Sequence, residues 1–363
     1  MTMNLLKLAT LGVQKLQPYQ QGKPISELKR EYGINNIIKL ASNENPLGPS
    51  FRVLAALQSE LAELYRYPDG NGFALKQSLS KKLQVKTNSI TLGNGSDDLL
   101  ELVARAFATN EDAILFSEHS FIVYSLVTQA IGATAIVVPT KNWGCDLELM
   151  IQKITTNTKV IFIANPNNPT GTWVTKFELQ IFLEKVPNHI VIVMDEAYYE
   201  YARENQDYPN SLEWLSKYPN LIITRTFSKA YGLAGLRIGY SISHPDIADI
   251  LNRVRQPFNV NSLALTAATI ALQDDEHIQN SVKMNQQGMQ QLITAFNNLD
   301  LEYIPSLCNF IMVKVGDGAK IYEKLLQQGI ITRPLPIPEY LRISIGNEKE
   351  NEFLIKALQN LFG

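Results

Sequence analysis

Runs of β-branched and apolar residues recur between residues 89 and 242, and they alternate with helical patterns. The runs cover residues 89–92, 113–117, 134–139, 159–164, 190–194, 221–225 and 236–242. Continuous apolar runs of this length are typical of strands that are buried on both faces. Their alternation with helices predicts an α/β fold, with a mostly parallel seven-stranded sheet flanked by helices. Because only a short loop separates the last two runs, we expect one edge of the sheet to be antiparallel.

The pattern changes near residue 262, and this change predicts a second domain. Two long helices and then two short strands are expected, over residues 263–272, 280–299, 310–315 and 341–345. We therefore expect a large domain over residues 46–262. A smaller α+β domain is expected from residues 1–45 and 263–363, with the N-terminal segment folding back onto the C-terminal part.

Composition excludes several classes of protein. The 363 residues carry a formal net charge of −2 and a pI near 6.2, which gives no electrostatic case for binding nucleic acid or an anionic membrane. Polar residues interrupt the leucines of residues 1–14, so neither a signal peptide nor a membrane span is expected. Two cysteines, Cys145 and Cys308, do not form a disulfide framework, and we expect a cytoplasmic protein. The four histidines lack metal-ligand spacing, so no metal site is predicted.

Lys229 follows the run 221–225, in a turn of small and hydroxyl-bearing residues with Arg237 eight positions downstream. Most lysines are solvated surface charges. Burial and a nearby positive charge lower the pKa of a lysine, however, and the neutral amine is a nucleophile. Its obvious use is a Schiff base with an aldehyde cofactor. Such a cofactor also needs an acid at its ring nitrogen and a site for its phosphate.

A candidate for that acid is Asp195, which directly follows the run 190–194. Open α/β sheets bind ligands at the carboxyl ends of their strands, and an acid there can keep a ring nitrogen protonated. Tyr198 can donate to the ring's phenolic oxygen. The rigid loop 165–171 can hold Asn168 against a planar ligand. Taken singly, a strand-end aspartate that caps a turn and an ordinary Asn-Pro turn remain open alternatives.

A phosphate site is predicted where Gly93 and Gly95 precede the helical pattern 97–107. Glycines let the backbone approach an anion, and a helix N-terminus supplies free N–H groups. Asp98 stands where a dinucleotide fingerprint needs its third glycine, so a monophosphate fits better. The expected contacts are Ser96 and Asp97 on one side, and Thr226, Ser228 and Arg237 on the other.

Together these motifs resemble the fold-type I pyridoxal-phosphate aminotransferases. The stretches that carry the resemblance are 95–97, 165–171, 195–198, 228–229 and Arg237. Further stretches at 18–23, 39–48, 66–70 and 341–346 are similar to those of the histidinol-phosphate aminotransferase subfamily of class II. The resemblance covers nearly the whole chain.

The resemblance implies a catalytic set of Lys229, Asp195 and Tyr198, with Lys229 bound to pyridoxal 5′-phosphate. It also implies that Phe121 stacks on the cofactor ring and that Asn168 contacts its phenolic oxygen. Tyr67 matches a tyrosine that reaches the cofactor phosphate of a partner subunit. A homodimer with shared active sites is therefore expected. The full set of implied cofactor-binding residues is Tyr67, Gly95, Ser96, Asp97, Phe121, Asn168, Asp195, Tyr198, Thr226, Ser228, Lys229 and Arg237.

The implied reaction transfers an amino group between L-histidinol phosphate and 2-oxoglutarate, giving imidazole acetol phosphate and L-glutamate, in histidine biosynthesis. The implied substrate-binding residues are Tyr19, Asn43, Arg333 and Arg342. Guanidinium groups suit the bidentate capture of phosphate or carboxylate. In the short, proline-rich stretch 334–340, Leu335 or Tyr340 could favour another ring. An aromatic amino-acid aminotransferase and a phosphothreonine decarboxylase-like enzyme therefore stay open as alternatives.

Overall fold

The structure is a computed structural model that describes residues 4–19 and 22–363. Two residues of the resemblance at 18–23, Gln20 and Gln21, lie outside the described residues. The strands are β1 Ile38–Lys39, β2 Ile90–Gly93, β3 Ala113–Ser117, β4 Thr134–Val138, β5 Thr158–Ala164, β6 Val191–Asp195, β7 Leu221–Thr226, β8 Gly239–Ser243, β9 Tyr303–Ile304, β10 Phe310–Lys314, β11 Ile330–Ile331, β12 Arg333–Pro334 and β13 Tyr340–Ser344.

Helices of very different lengths connect these strands. They are α1 Leu11–Gln14, α2 Ile25–Tyr32, α3 Phe51–Glu60, α4 Phe73–Leu83, α5 Ser96–Phe107, α6 Ile122–Ala130, α7 Leu147–Gln152, α8 Lys176–Lys185, α9 Tyr199–Ala202, α10 Pro245–Val254, α11 Ser262–Ala271, α12 Asp275–Asn298, α13 Gly318–Leu326 and α14 Glu348–Phe362. Short 3₁₀ turns occur at Leu5–Leu8, Leu61–Glu63, Thr87–Ser89, Ser211–Trp214 and Ala234–Leu236. In the described ranges, every helix is too short or too polar to cross a membrane.

The large sheet has seven strands in the order β2-β8-β7-β6-β5-β3-β4. The pairs β3–β4, β3–β5, β5–β6 and β6–β7 are parallel, whereas β8 runs antiparallel to both β7 and β2. The predicted α/β fold with a mostly parallel sheet is confirmed. The expectation of an antiparallel edge is wrong in its position. The chain turns back from β7 and inserts β8 between β7 and β2, so the antiparallel strand is second from the edge.

The strand predicted at 236–242 begins later than expected. Ala234–Leu236 forms a 3₁₀ turn, and Arg237 has a φ of 54°, so β8 starts only at Gly239. A left-handed residue cannot lie within a regular strand. The turn in the chain at Arg237 thus directs this side chain toward the loop that carries Lys229.

Helices cover both faces of the large sheet, and β5 shows how its sequence achieves this. Val160 and Phe162 pack with Leu99 of α5 on one face. Ile161 packs with Phe182 of α8 on the other. Successive strand residues point to opposite faces, so an uninterrupted apolar run buries both. The sheet is therefore a rigid base for the polar residues at its carboxyl edge.

A second, antiparallel sheet has the order β12-β13-β10-β9, and β1 pairs with β11 in parallel. Leu28 of α2 packs with Leu326 of α13, which fixes the N-terminal segment to the C-terminal part. Helix α11 packs against α3 and α4. The division into 46–262 and 1–45 with 263–363 stays a prediction.

Helix α12 starts five residues before the expected position at residue 280. Asp274 caps it, accepting a hydrogen bond from the backbone N–H of His277. The first turn contains Asp275 and Glu276, which suit the positive end of the helix dipole. Because these residues are polar, the apolar periodicity of the sequence did not predict this turn.

Candidate active site

A cavity of about 860 Å³ lies where the carboxyl ends of β5, β6 and β7 face the four-stranded sheet. It gathers fourteen of the predicted site residues, from segments distant in sequence. These are Tyr19, Asn43, Ser96, Asp97, Phe121, Asn168, Asp195, Tyr198, Thr226, Ser228, Lys229, Arg237, Arg333 and Arg342. Gly95 lies immediately behind the lining, and Tyr67 lies elsewhere on the chain.

Lys229 follows β7 and extends into this cavity, where its Nζ donates to the carbonyl oxygen of Ser42 at 3.3 Å. Burial lowers the pKa of Lys229 to about 8, and the positive charges of Arg342 and Arg237 act in the same direction. The sequence pointed to Arg237 as the nearby cation. The stronger influence is Arg342, which the fold brings in from β13.

Asp195 is the last residue of β6, and its side chain is buried beside the cavity. Its Oδ2 accepts a hydrogen bond from the hydroxyl of Tyr124 at 2.9 Å. Its Oδ1 is buried and has no hydrogen-bond partner among the described residues. Burial raises the pKa of Asp195 to about 6, and the Tyr124 hydrogen bond opposes this rise. At neutral pH the carboxylate is therefore mostly charged, and Oδ1 can accept a hydrogen bond from a ligand.

Tyr198 lies beside Lys229, whose Nζ is 5.7 Å from the centre of the tyrosine ring. Its hydroxyl accepts a hydrogen bond from Nδ2 of Asn43 at 2.8 Å. Burial raises the pKa of Tyr198 well above its usual value, so the phenol keeps its proton. Since the Asn43 bond occupies only an acceptor site, the hydroxyl proton remains available for donation into the cavity.

The predicted anion site lies at the start of α5. Gly95 caps the helix with a φ of 84°, and a Cβ there would lie 2.5 Å from Nη2 of Arg237. Arg237 also lies 3.3 Å from both the Ser228 hydroxyl and a carboxylate oxygen of Asp97. Glycine therefore permits the guanidinium to cross the helix N-terminus. Free N–H groups, a hydroxyl and a guanidinium converge there, a combination that suits a phosphate.

Two arginines form the opposite wall. Arg333 of β12 and Arg342 of β13 are directly paired across the antiparallel strands. Nη2 of Arg342 donates to the carbonyl oxygen of Ala41 at 2.8 Å, and Nη1 donates to Oδ1 of Asn168. Arg333 donates to the hydroxyl of Tyr19 at 3.3 Å. Like charges placed opposite each other are unfavourable unless an anion offsets them, so this wall suits a dianionic group.

The proline-rich stretch contributes to the cavity through Leu335 and not through Tyr340. Leu335 lines the cavity, together with its proline neighbours. Tyr340 instead packs edge-on against Trp143, at 5.0 Å between ring centres. Trp143 stacks on His119, which does line the cavity. The expectation that Tyr340 could contact a substrate ring is therefore wrong, because its side chain points into the aromatic layer behind the wall.

Tyr124 is a site residue that sequence reasoning did not single out. It is fully buried, stacks on Phe162 at 4.8 Å, and makes an edge contact with Phe121 at 6.0 Å. Its hydroxyl holds Asp195. The available signal was its position one helical turn after Phe121, but neither polarity nor spacing showed that β6 would lie beneath it.

Tyr67 does not line this cavity. Its side chain is 82% exposed and stacks on Phe258 at 4.8 Å. Other large apolar side chains exposed near it in sequence are Phe51, Leu64, Tyr65 and Phe73.

Comparisons with known proteins agree on one family. A family model described as aminotransferase class I and II matches residues 35–358. A Nitrosococcus oceani protein named histidinol-phosphate aminotransferase 1 is 55% identical, over 98% of this chain and 97% of its own length. A Pseudomonas fluorescens protein named histidinol-phosphate aminotransferase 2 is 56% identical, over 99% and 98% respectively. The crystal structure of histidinol-phosphate aminotransferase from Sinorhizobium meliloti in complex with pyridoxal-5′-phosphate is similar, with a TM-score of 0.89 and 28% identity over 97% of each chain.

Proposed function

Because the chain belongs to the class I and II aminotransferases and, within them, to the histidinol-phosphate aminotransferase family, we propose that it transfers the amino group of L-histidinol phosphate to 2-oxoglutarate. The products are imidazole acetol phosphate and L-glutamate. One observation carries this proposal: a single cavity holds a lysine of lowered pKa and, across from it, a pair of arginines.

The proposed cofactor is pyridoxal 5′-phosphate, and three features of the cavity fit it. The amine of Lys229 is a nucleophile for an aldehyde. Oδ1 of Asp195 is a buried acceptor with no hydrogen-bond partner in the described part of the chain, as a protonated ring nitrogen requires. The cup at Gly95, Ser228 and Arg237 matches a monophosphate. When bound, the cofactor supplies an electron sink for the α carbon of the substrate.

The proposed work of Lys229 is proton transfer. With a pKa of about 8, its Nζ is partly neutral near pH 7 and takes a proton more readily than an exposed lysine. A general base works best when its pKa lies near the working pH. Asp195 remains ionised and holds the proton of the ring nitrogen at Oδ1. The phenol of Tyr198 and the amide of Asn168 position the ring at its phenolic oxygen.

The proposed substrate site is the arginine wall. The phosphate of histidinol phosphate is a dianion, and it offsets the two guanidinium charges of Arg333 and Arg342, with Tyr19 at the same end. Asn43 holds Tyr198 and so shapes the boundary between substrate and cofactor. Leu335 borders the space for the imidazole side chain.

We further propose a homodimer in which Tyr67 completes the partner's phosphate cup. The exposed tyrosine and the apolar side chains near it motivate this proposal. Burying such side chains against a second copy removes apolar surface from water.

The experiment that tests the function is a half-reaction screen on the purified protein. The visible band of the bound cofactor is followed while histidinol phosphate, phenylalanine, tyrosine or phosphothreonine is added. Bleaching at the lowest concentration is expected for histidinol phosphate, followed by recovery with 2-oxoglutarate. A preference for phenylalanine or tyrosine would instead establish an aromatic aminotransferase. Release of carbon dioxide from phosphothreonine would establish a decarboxylase.

A further inference from the structure

A buried hydrogen bond joins the first turn of α6 to the end of β6. The hydroxyl of Tyr124 donates to Oδ2 of Asp195 at 2.9 Å, and both side chains are buried. A hydrogen bond to a charged acceptor, shielded from water, is among the stronger single contacts in a protein. It occupies one oxygen of the carboxylate and leaves Oδ1 as its other acceptor.

Two aromatic rings and a backbone hydrogen bond hold Tyr124 in place, so this hydroxyl has little freedom. Phe162 lies parallel to it at 4.8 Å, with an angle of 7° between the planes. Phe121 meets its edge at 6.0 Å and 89°. Its backbone N–H donates to the carbonyl oxygen of Phe121 at 3.1 Å. The same residue therefore contacts both the aromatic side chain and the acid that border the proposed ring site.

We propose that Tyr124 is a positioning residue that acts on the cofactor ring nitrogen through Asp195. By holding Oδ2, it orients Oδ1 and keeps the carboxylate in the charged form that a protonated ring nitrogen requires. This inference depends on the proposed use of pyridoxal phosphate. Tyr124 itself does not contact the cofactor in this proposal, because it acts through Asp195.

The electrostatics of the pair act in the same direction. Burial and the nearby Asp97 raise the pKa of Asp195, while the bond from Tyr124 is the largest of the influences that lower it, ahead of the Ala197 backbone and Thr224. Without the phenol, two influences that favour the neutral acid are left with less opposition. A neutral carboxyl at Asp195 cannot stabilise a positively charged ring.

The test is Tyr124→Phe in the full-length protein, which removes one hydroxyl and keeps the aromatic packing. Its affinity is measured for pyridoxal phosphate and for 1-deazapyridoxal 5′-phosphate, in which carbon replaces the ring nitrogen. We expect about tenfold weaker binding of pyridoxal phosphate, as for a lost hydrogen bond to a charged group. We expect unchanged binding of the deaza compound. With pyridoxal phosphate, kcat should fall while KM for the amino donor stays within about twofold.

The matched control is Tyr240→Phe, which removes the hydroxyl of an equally buried tyrosine whose ring packs on Phe227. This control should bind both cofactors as the wild type does. Equal weakening of both cofactors by Tyr124→Phe would show a purely structural role and overturn the inference, as would unchanged binding of pyridoxal phosphate. If the wild-type protein itself fails to bind pyridoxal phosphate, the proposed function fails as well. A failure confined to the variant comparison leaves the proposed function intact.

Discussion

Among single residues, Lys229 and Asp195 both depart from their ordinary chemistry in directions that suit the proposed reaction. The pKa of Lys229 falls to about 8 and that of Asp195 rises to about 6, chiefly because both side chains are buried. Near neutral pH, each group can therefore gain or lose a proton. The lowered pKa of Lys229 depends on the fold, because Arg342, whose charge lowers it further, comes from another sheet.

Replacement of Lys229 by alanine should abolish turnover. The variant lacks the only amine proposed to move the proton at the substrate carbon, so we expect kcat to fall by about 10³-fold or more. Activity is measured with histidinol phosphate and 2-oxoglutarate. Lys217→Ala, at an exposed ion pair with Glu184, is the control and should keep wild-type activity. Near-wild-type turnover by Lys229→Ala would contradict the assignment.

The rate of cofactor uptake should depend on pH through Lys229. Below a pKa of about 8 the amine is mostly charged and cannot attack an aldehyde, and above it the amine is mostly neutral. The rate constant for appearance of the visible band in cofactor-free protein should therefore rise as pH increases toward 8 and level off beyond it. Nα-acetyl-lysine, with an ordinary pKa near 10.4, should show its rise at higher pH. A protein profile that matches the free amino acid would refute the lowered pKa.

Among the elements, the N-terminus of α5 depends on Gly95, because Arg237 lies where a side chain would be. Gly95→Ala should displace the guanidinium and weaken pyridoxal phosphate binding by about tenfold, as for the loss of one charge-assisted hydrogen bond. The dissociation constant is measured by titration of the visible band. Gly316→Ala is the matched control, because Gly316 has a φ of 79° but open space around it. Equal weakening in both variants would assign the effect to backbone strain alone.

A buried ion pair joins Glu196, which directly follows β6, to Arg225 of β7. Arg225 donates to Glu196 through Nε and Nη2, at 2.9 and 2.8 Å, and the two side chains are 3% and 0% exposed. Arg225→Ala leaves Glu196 and the neighbouring Glu200 buried without their cation. This should cost about 3–5 kcal/mol of unfolding free energy.

Urea unfolding measures that cost, and a double variant provides the control. Replacing both Arg225 and Glu196 by methionine removes the pair and leaves one buried carboxylate, Glu200, without this cation, instead of the two left by Arg225→Ala. It should be more stable than Arg225→Ala. Equal urea midpoints for Arg225→Ala and the double variant would show that the charges of the pair contribute nothing to stability beyond packing.

The sequence predicted elements well where one physical signal dominated. The apolar runs marked the seven strands of the large sheet, since six of them are buried along most of their length and such strands are mostly apolar; β4 is the exposed exception. Prediction was wrong where a local conformation overrode the pattern, as with Arg237 before β8 and the capped, acidic first turn of α12. Tyr124 was missed for another reason: its bond to Asp195 joins residues that only the assembled fold brings together.

For the molecule as a whole, the proposed sharing of Tyr67 can be tested with hybrid dimers. Lys229→Ala chains and Tyr67→Ala chains should each give poorly active homodimers. In a mixed dimer, one site receives both a native lysine and a native tyrosine. Random reassociation of equal amounts should therefore recover about a quarter of wild-type activity. Recovery no greater than the sum of the separate variants would show that each chain completes its own site.

The cavity wall is built from stretches as far apart as residues 15–19, 96–97, 197–198 and 333–337. No short fragment of the chain contains more than a part of this wall. A nascent or misfolded polypeptide therefore lacks the complete binding site for pyridoxal phosphate. A ligand held only by the finished fold also stabilises that fold by mass action. The yellow colour of a preparation, measured per chain, should consequently serve as a gauge of maturation, reporting how many polypeptides have completed their longest-range contacts.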